Sequence, residues 1–257
     1  MLLLVDIGNT SIKIGMSRGA EVLTSYTLPT DFINQSADSL GLQLKALFEH
    51  AGLAERVRAC LVSSVVPGMD PLLRQACARY LGVEPRFAHQ DVPVPLENQY
   101  ERPQEVGADR LVAAYAARRL HPDAESLISV DFGTATTFDC VAGQAYLGGL
   151  ICPGVMSALG ALATRTAQLP RIALEASAER PIVGRNTITS LNHGFLFGFV
   201  SMTEGLCARL ARDLPGTPTI IATGGFSTAV AGVTGVIKQV YPDLILEGLR
   251  FMHHEIA

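Results

Sequence analysis

The sequence has little charge and no dense run of lysine or arginine. Charged residues make up 17% of its 257 residues, and the formal net charge is −4 at pH 7. A protein that binds nucleic acid through the phosphate backbone needs a basic surface, so we do not expect nucleic acid as the main partner. Hydrophobic residues reach 48%, which argues against a disordered chain, and a length of 257 residues is enough for one large domain or two ordinary ones.

The sequence also lacks the patterns of membrane, disulfide and zinc proteins. It has no stretch of about 18 uninterrupted apolar residues, so we expect no membrane partner. The opening run MLLLV stops at Asp6 and carries no basic region, so it does not read as a signal peptide. The 5 cysteines have no CxxC spacing and the 6 histidines no HExxH motif, which favours reduced thiols in a cytoplasmic protein.

The sequence does contain an unusual segment, an Asp-x-Gly turn followed by apolar alternation, that occurs twice. VDIGNTSIKIG spans residues 5–15 and VDFGTATTFDC spans residues 130–140, so the two aspartates lie 125 positions apart (131 minus 6). Self-similarity at half the chain length predicts two like domains, 1–120 and 121–257, and leaves open whether the last helix packs back on the first domain. Apolar alternation predicts three strands around each copy, at 2–8, 11–18 and 21–28 and again at 127–133, 135–141 and 145–151.

The chemistry of one copy suggests an anion site. Asp6 ends a buried strand, where a carboxylate needs a cation or hydrogen-bond donors, and Gly8 lets backbone approach a ligand. The residues at 9–11 supply donors in a tight turn, and Lys13 could meet a phosphate as a point charge. Asp and Gly are ordinary turn residues, but two copies and a Thr-Gly-Gly at 223–225 favour a two-sided clamp for a nucleoside triphosphate.

Five motifs in order give the chain a family resemblance. They read D-x-G-N-T-x-x-K-x-G, G-A-D-R, D-x-G-T-A-T-T-x-D, G-G-x-I-x-P-G and T-G-G, and they occupy 6–15, 107–110, 131–139, 148–154 and 223–225. Together they resemble the type III pantothenate kinases, in the superfamily of acetate kinase, sugar kinases, Hsp70 and actin. The G-A-D-R block and the GRNT at 184–187 are what single out this family within the superfamily.

The resemblance implies both a fold and a reaction. The fold would be α/β, with two duplicated ribonuclease-H-like (actin-like ATPase) domains, each a mixed five-stranded sheet flanked by helices. The reaction would be ATP-dependent phosphorylation of pantothenate to 4'-phosphopantothenate, the first step of coenzyme A synthesis. The family further implies a homodimer that uses Mg²⁺ and a monovalent cation, NH₄⁺ or K⁺.

The resemblance also assigns roles to residues. Asp109 would be the catalytic base, and the pantothenate-binding residues would be Tyr100, Gly107, Ala108, Asp109, Arg110 and Thr187. The ATP-binding residues would be Asp6, Gly8, Asn9, Thr10, Ser11, Lys13, Thr134, Gly224 and Gly225. Asp131 would coordinate the monovalent cation, and Asp6 would hold magnesium through water.

Several of these assignments have a structural alternative that the sequence leaves open. Asp109 could be a helix N-cap, and so could Asn186 or Thr187, because these residue types favour that position. Tyr100 could be an ordinary loop tyrosine. Asp139 closes the second hairpin in the region that Lys13 occupies in the first, and the sequence predicts no role for it.

Two other functions are compatible with the same motifs. One is a kinase of another small hydroxy acid or sugar, whose specificity would lie in residues 91–110 and 187. The other is a non-catalytic ATP-binding regulator, as in actin and Hsp70, where the nucleotide clamp drives a conformational change. A regulator that had lost activity would be expected to have lost Asp109, which is present.

Overall fold

The computed structural model describes residues 1–31, 33–53, 56–166, 168–170, 172–174, 180–181 and 183–256. The chain divides into two compact units that are not continuous in sequence. The first unit contains Met1–Leu96, Glu101–Arg119 and Asp243–Ala257, and the second contains Glu97–Tyr100 and Leu120–Pro242. A domain boundary near residue 120 remains our proposal.

The first unit is built on a mixed sheet. Its strands are β1 (Leu2–Ile7), β2 (Ser11–Arg18), β3 (Glu21–Pro29), β4 (Ala59–Ser64) and β5 (Pro85–Phe87). They are ordered β3-β2-β1-β4-β5, with β1 antiparallel to β2 and parallel to β4. The apolar run of β1 is covered on both faces: Leu3, Val5 and Ile7 join one core cluster, while Leu2 and Leu4 join another.

Helices cover both faces of this sheet. They are α1 (Ala37–His50), α2 (Asp70–Ala76), α3 (Ala108–Leu120) and, from the end of the chain, α7 (Leu244–Ile256). The Ser36 side chain caps α1 by accepting the Ser39 N–H at 3.1 Å. The pattern at 69–81 predicts one helix, whereas α2 changes to a π-helical turn at Cys77–Leu81 and ends at Gly82 with φ 65°.

The second unit repeats the strand arrangement of the first. Its strands are β6 (Glu97–Asn98), β7 (Ser126–Phe132), β8 (Ala135–Ala142), β9 (Ala145–Pro153), β10 (Thr219–Thr223) and β11 (Gln239–Val240). Its helices are α4 (Val155–Arg165), α5 (Thr187–Leu210) and α6 (Ser227–Ala231). The strand order is β11-β10-β7-β8-β9-β6, so this sheet has six strands in the described residues where the sequence predicts five. The extra strand is β6, which lies in the polar, proline-containing segment 91–106, where the sequence predicts a loop.

The two hairpins differ by one residue in their turns. Asp6 pairs with Lys13 across β1 and β2, whereas Asp131 pairs with Thr137 across β7 and β8. Thr137 is therefore the counterpart of Lys13. Asp139, which the sequence comparison placed in the same region without a role, lies two residues further along β8 and pairs with Ser129.

The helices of the described segments do not include a membrane span. None combines the length and the apolar character that crossing a bilayer requires. The longest helix in the described residues, α5, has polar residues on both sides of its apolar stretch at 194–200.

Candidate active site

The first hairpin turn is closed by its own backbone. The Gly8 N–H donates to the Ser11 carbonyl at 3.0 Å, and the Thr30 hydroxyl donates to the Gly8 carbonyl at 2.7 Å. Residues 9–10 are exposed at the tip, and Asp6 is half-buried at the end of β1. The turn thus presents exposed polar groups beside a strand-end carboxylate, as the sequence predicts.

Lys13 has a partner that the sequence did not predict. Its Nζ lies 3.4 Å from Asp243 Oδ1, and the Ser25 hydroxyl donates to Asp243 Oδ2 at 3.1 Å. Lys13 also faces Asp6 across the strand pair. Because Asp243 is 230 residues away in sequence, no local pattern could have revealed this contact. The pairing holds the lysine at the end of the hairpin where we expect phosphate.

Asp109 lies inside the first turn of α3 and does not occupy the cap position. The helix begins at Ala108, which makes Gly107 the preceding residue and Asp109 the second residue of the helix. Asp109 Oδ1 accepts the Arg110 N–H at 2.8 Å. A Cβ on Gly107 would collide with that same Oδ1, so the glycine is required for the carboxylate to lie where it does.

The environment of Asp109 makes it a better proton acceptor. Burial raises the pKa of Asp109, and the Arg110 N–H and the Arg110 charge oppose this shift without cancelling it. A carboxylate whose pKa lies above its usual range binds a proton more strongly, which suits a general base working near neutral pH. Arg110 is half-buried immediately beside it.

Asp131 is enclosed by glycines at the ends of two parallel strands. Thr223, the last residue of β10, pairs with Asp131 of β7. Gly224 follows with φ 87°, and a Cβ there would collide with Asp131 Oδ1. A Cβ on Gly133 would lie 3.5 Å from the same oxygen. Ligands of α/β sheets commonly bind at such carboxyl ends of strands.

Thr134 forms the exposed turn of the second hairpin, and the turn is fixed by α4. Its carbonyl accepts the Ser157 hydroxyl at 2.7 Å. A Cβ on Gly154 would collide with that carbonyl, so the turn contacts the start of the helix directly. Ser157 was not predicted as part of the site. A serine three residues after a Pro-Gly break is the only signal the sequence offers for it.

The remaining predicted residues lie on other elements of the second unit. Tyr100 is half-buried after β6, with its N–H donating to Asn98 Oδ1 at 3.1 Å. Thr187 is the exposed first residue of α5. Asn186 caps that helix by accepting the Thr189 N–H at 2.9 Å, so capping does not account for Thr187.

The available ligands suit hard cations. Nowhere in the described part of the chain do three or more histidine, cysteine, aspartate or glutamate side chains cluster as metal ligands. Magnesium is commonly held by one or two carboxylates together with substrate phosphates, and Asp6 fits that pattern. The cradle around Asp131, which a Cβ on Gly224 would fill, offers a carboxylate oxygen, a hard ligand of the kind that binds a monovalent cation.

Solved structures resemble the chain in fold. A Campylobacter jejuni protein provisionally assigned to the Baf family of transcriptional activators matches with a TM-score of 0.62 at 18% identity, covering 99% of this chain and 98% of that one. A Sinorhizobium meliloti protein provisionally named a 2-dehydro-3-deoxygalactonokinase matches with a TM-score of 0.60 at 14% identity, covering 100% and 97%. At such identities the likeness concerns the fold alone.

Sequence relatives are much closer. A model of the type III pantothenate kinase family matches residues 2–209. The type III pantothenate kinase of Nitratidesulfovibrio vulgaris (strain DP4) is 61% identical over 255 residues, covering 99% of this chain and 97% of that protein. The type III pantothenate kinase of Lawsonia intracellularis (strain PHE/MN1-00) is 53% identical, covering 97% and 94%.

Each of the two α/β units contains a three-stranded meander with an aspartate near the end of the meander's first strand. This arrangement has the actin-like ATPase fold, which the solved structures named above share. This confirms the fold class predicted from the sequence. Within that class, the chain belongs to the type III pantothenate kinase family.

Proposed function

We propose that the chain uses ATP to phosphorylate pantothenate, the first step of coenzyme A synthesis. The observation that carries this function is family membership at 61% identity over nearly the full length of both proteins. The half-buried Asp109, whose pKa is raised by burial, supports it, because transfer to a hydroxyl needs a base for the hydroxyl proton.

The ATP-binding roles are assigned to the two hairpins and the strand-end glycines. Gly8 lets the phosphates approach the first turn, residues 9–11 donate from that turn to phosphate oxygens, and Lys13 neutralises phosphate charge. Thr134 contacts ATP from the second turn. Gly224 and Gly225 border the adenosine, where the lack of side chains leaves room for it; a Cβ on Gly225 would meet nothing within 4 Å.

The pantothenate-binding roles are assigned to two loops and a helix start. Arg110 pairs with the pantothenate carboxylate, since a guanidinium matches a carboxylate in two parallel hydrogen bonds. Gly107 and Ala108 let the substrate approach Asp109, which takes the proton of the attacking hydroxyl. Tyr100 lines the pocket, and Thr187 hydrogen-bonds the substrate from its own or a partner subunit.

Two cations complete the proposed site. Asp6 holds magnesium through water, and the ion supplies neutralisation of phosphate charge when it is bound. Asp131 coordinates NH₄⁺ or K⁺. We place the reaction in the cytoplasm, with a small-molecule substrate and no nucleic-acid or membrane partner, in keeping with the net charge of −4.

The decisive test is a coupled ADP-release assay of the purified protein. We expect ATP consumption with pantothenate and none above background with a panel of sugars and other hydroxy acids. Release of ADP with a panel member in preference to pantothenate would instead assign a related small-molecule kinase. ATP binding without any turnover would assign a regulator.

ATP consumption should depend on an added monovalent cation. The reason is the carboxylate of Asp131, a hard oxygen ligand that the neighbouring glycines enclose at the strand end. Rates are measured in sodium-only buffer and again after adding ammonium or potassium, at matched ionic strength. Equal rates in all three buffers would remove the monovalent cation from the reaction.

Activity should be lost on acidification earlier than an ordinary aspartate would dictate. An ordinary aspartate has a pKa of about 3.9, and burial raises the pKa of Asp109 above that value. The basic form of Asp109 is therefore lost at a higher pH than that of an ordinary aspartate. A profile of kcat/KM for pantothenate should show this acidic limb. The residual activity of Asp109→Asn should lack it, and an identical limb in that variant would assign the titration to another group.

An apolar groove on α5 supports the proposed homodimer. The groove has a volume of about 280 Å³ and is lined by Leu191, Gly194, Phe195, Gly198, Phe199 and Met202, together with one polar residue, Ser190. A Cβ on either glycine would meet nothing within 4 Å in the single chain. Such a patch, with glycines that allow close approach of a second helix, is typical of a contact between subunits.

Light scattering at micromolar concentration should give twice the 27.4 kDa mass of one chain. Gly194→Glu places a charge in the groove without a clash inside the subunit, and it should shift the mass toward the monomer. Gly160→Glu is the matched control, because it also adds a glutamate at a helical glycine with open space. A monomeric parent chain, or equal masses for both variants, would contradict the proposed α5 contact.

A further inference from the structure

Asp139 is a buried carboxylate that the proposed reaction does not use. It lies in the middle of β8, 2% exposed, between Ser129 of β7 and Gly149 of β9. A carboxylate taken out of water is strongly destabilising unless donors or a cation compensate. Its retention in the core of a sheet therefore calls for a specific structural explanation.

Two hydroxyl groups bind the two oxygens of this carboxylate. The Tyr146 hydroxyl donates to Oδ1 at 2.8 Å, and the Thr137 hydroxyl donates to Oδ2 at 2.9 Å. Tyr146 is fully buried. Each oxygen therefore has a hydroxyl partner, and the hydrogen bond to Oδ1 fixes the direction of the Tyr146 ring.

Tyr146 in turn supports the segment that carries Tyr100. The ring centroids of the two tyrosines are 6.5 Å apart with an interplanar angle of 36°. The Gln99 N–H donates to the Tyr146 carbonyl at 2.9 Å, and Asn98 of β6 pairs with Tyr146 of β9. The same residue therefore contacts this segment through both its backbone and its ring.

Gly148 completes the support for the Tyr100 ring. Its φ is 110°, and a Cβ there would lie 3.1 Å from Tyr100 Cδ2, closer than side chains normally approach. The Tyr100 ring thus lies on bare backbone at Gly148 and against the Tyr146 ring. Its orientation is defined from two sides.

We propose that Asp139 is a positioning residue that, through the Tyr146 hydroxyl, holds the ring of Tyr100 in its orientation and so sets the affinity for the acceptor substrate. The last clause rests on the proposed function, in which Tyr100 lines the pantothenate pocket. The positioning itself does not depend on that function, and the two parts are tested separately.

The first experiment measures the positioning without any ligand. The chain contains no tryptophan, so Tyr100→Trp gives a single-tryptophan reporter at the position in question. In that background, Tyr146→Phe and Asp139→Asn should shift the emission to longer wavelength and increase the fast component of anisotropy decay. Tyr146→Phe removes only one hydroxyl group. If the buried Asp139→Asn variant does not fold, the emission and anisotropy of the Tyr146→Phe variant alone test the positioning of residue 100.

Tyr241→Phe is the control for the loss of a bonded hydroxyl in the same unit. The Tyr241 hydroxyl lies 3.0 Å from His121 Nε2 and is not part of the support described here. This control should leave the emission and anisotropy of the tryptophan reporter unchanged. If Tyr146→Phe leaves them unchanged as well, Asp139 does not position residue 100 and the proposal is overturned.

The second experiment measures the consequence for catalysis in the tyrosine-containing chain. Tyr146→Phe and Asp139→Asn should raise the KM for pantothenate about three- to tenfold, with kcat and the KM for ATP little changed. A merely structural role would instead reduce the active fraction, lowering kcat at constant KM, and that result overturns the substrate part. A shifted reporter emission in a protein that does not phosphorylate pantothenate would support the positioning and overturn the proposed function.

Discussion

Asp109→Asn should turn over pantothenate at least about a hundredfold more slowly than the parent chain, while melting at the same temperature or slightly higher. The asparagine Oδ1 can still accept the Arg110 N–H, which lies 2.8 Å from the carboxylate, but the amide cannot take a proton. Burial raises the pKa of Asp109, so its charged form opposes folding above that pKa, and a neutral amide relieves the penalty. Turnover and melting temperature are measured on the same preparation.

Asp38→Asn is the matched control. Asp38 also lies in the first turn of a helix, α1, but its pKa is lowered by the Tyr80 hydroxyl and by Arg79. Its charge therefore favours folding above the usual aspartate pKa, so this variant should lose some stability and keep its turnover. Near-normal turnover of Asp109→Asn with unchanged melting would reduce Asp109 to a structural residue.

The parts of the fold that the sequence predicted are those with a strong local pattern. Residues 2–5 form an uninterrupted apolar run, a pattern that predicts a strand covered on both faces, and the side chains of β1 do alternate between two core clusters. The repeated Asp-x-Gly hairpins predicted the duplication because glycine turns and apolar alternation are visible within about ten residues. The short elements β6, β11 and α6 were missed because two to five residues carry no measurable periodicity.

The parts of the candidate site that could not be predicted depend on contacts between distant segments. The pairing of Lys13 with Asp243, and the ring contact between Tyr100 and Tyr146, join segments that no local pattern relates. The second hairpin also has a turn one residue shorter than the first, so its counterpart of Lys13 is Thr137, a pairing that comparison of the two motifs did not resolve. The sequence predicts which residues form the proposed phosphate-binding hairpin, but it does not predict the distant contacts that support them.

Lys13→Met should reduce kcat/KM for ATP on the order of a hundredfold, the scale of losing one preorganised electrostatic contact to a transferring group. The lysine faces Asp6 across the strand pair, and its Nζ lies 3.4 Å from Asp243 Oδ1. Stability should change little, because a half-exposed pair of this kind is a weak stabilising contact. The KM for pantothenate should be nearly unchanged. Steady-state kinetics with each substrate varied in turn, together with the melting temperature, gives all three quantities.

The contacts of Lys13 are compatible with two roles, binding of phosphate and support of Asp243, and the control variant Lys45→Met separates them. Lys45→Met removes the same charge from an exposed position on α1 and should leave both substrates' kinetics unchanged. Lys13→Arg keeps the charge but replaces a compact ammonium with a planar guanidinium, so it should recover only part of the activity. If Lys13→Met matches Lys45→Met in its use of ATP, the lysine serves only to hold Asp243 at the start of α7, and the phosphate role is wrong. If Lys13→Met has a much lower kcat/KM for ATP but an unchanged melting temperature, neither the charge nor the packing of Lys13 is needed for the fold. The ion pair with Asp243 then serves to orient the lysine toward phosphate.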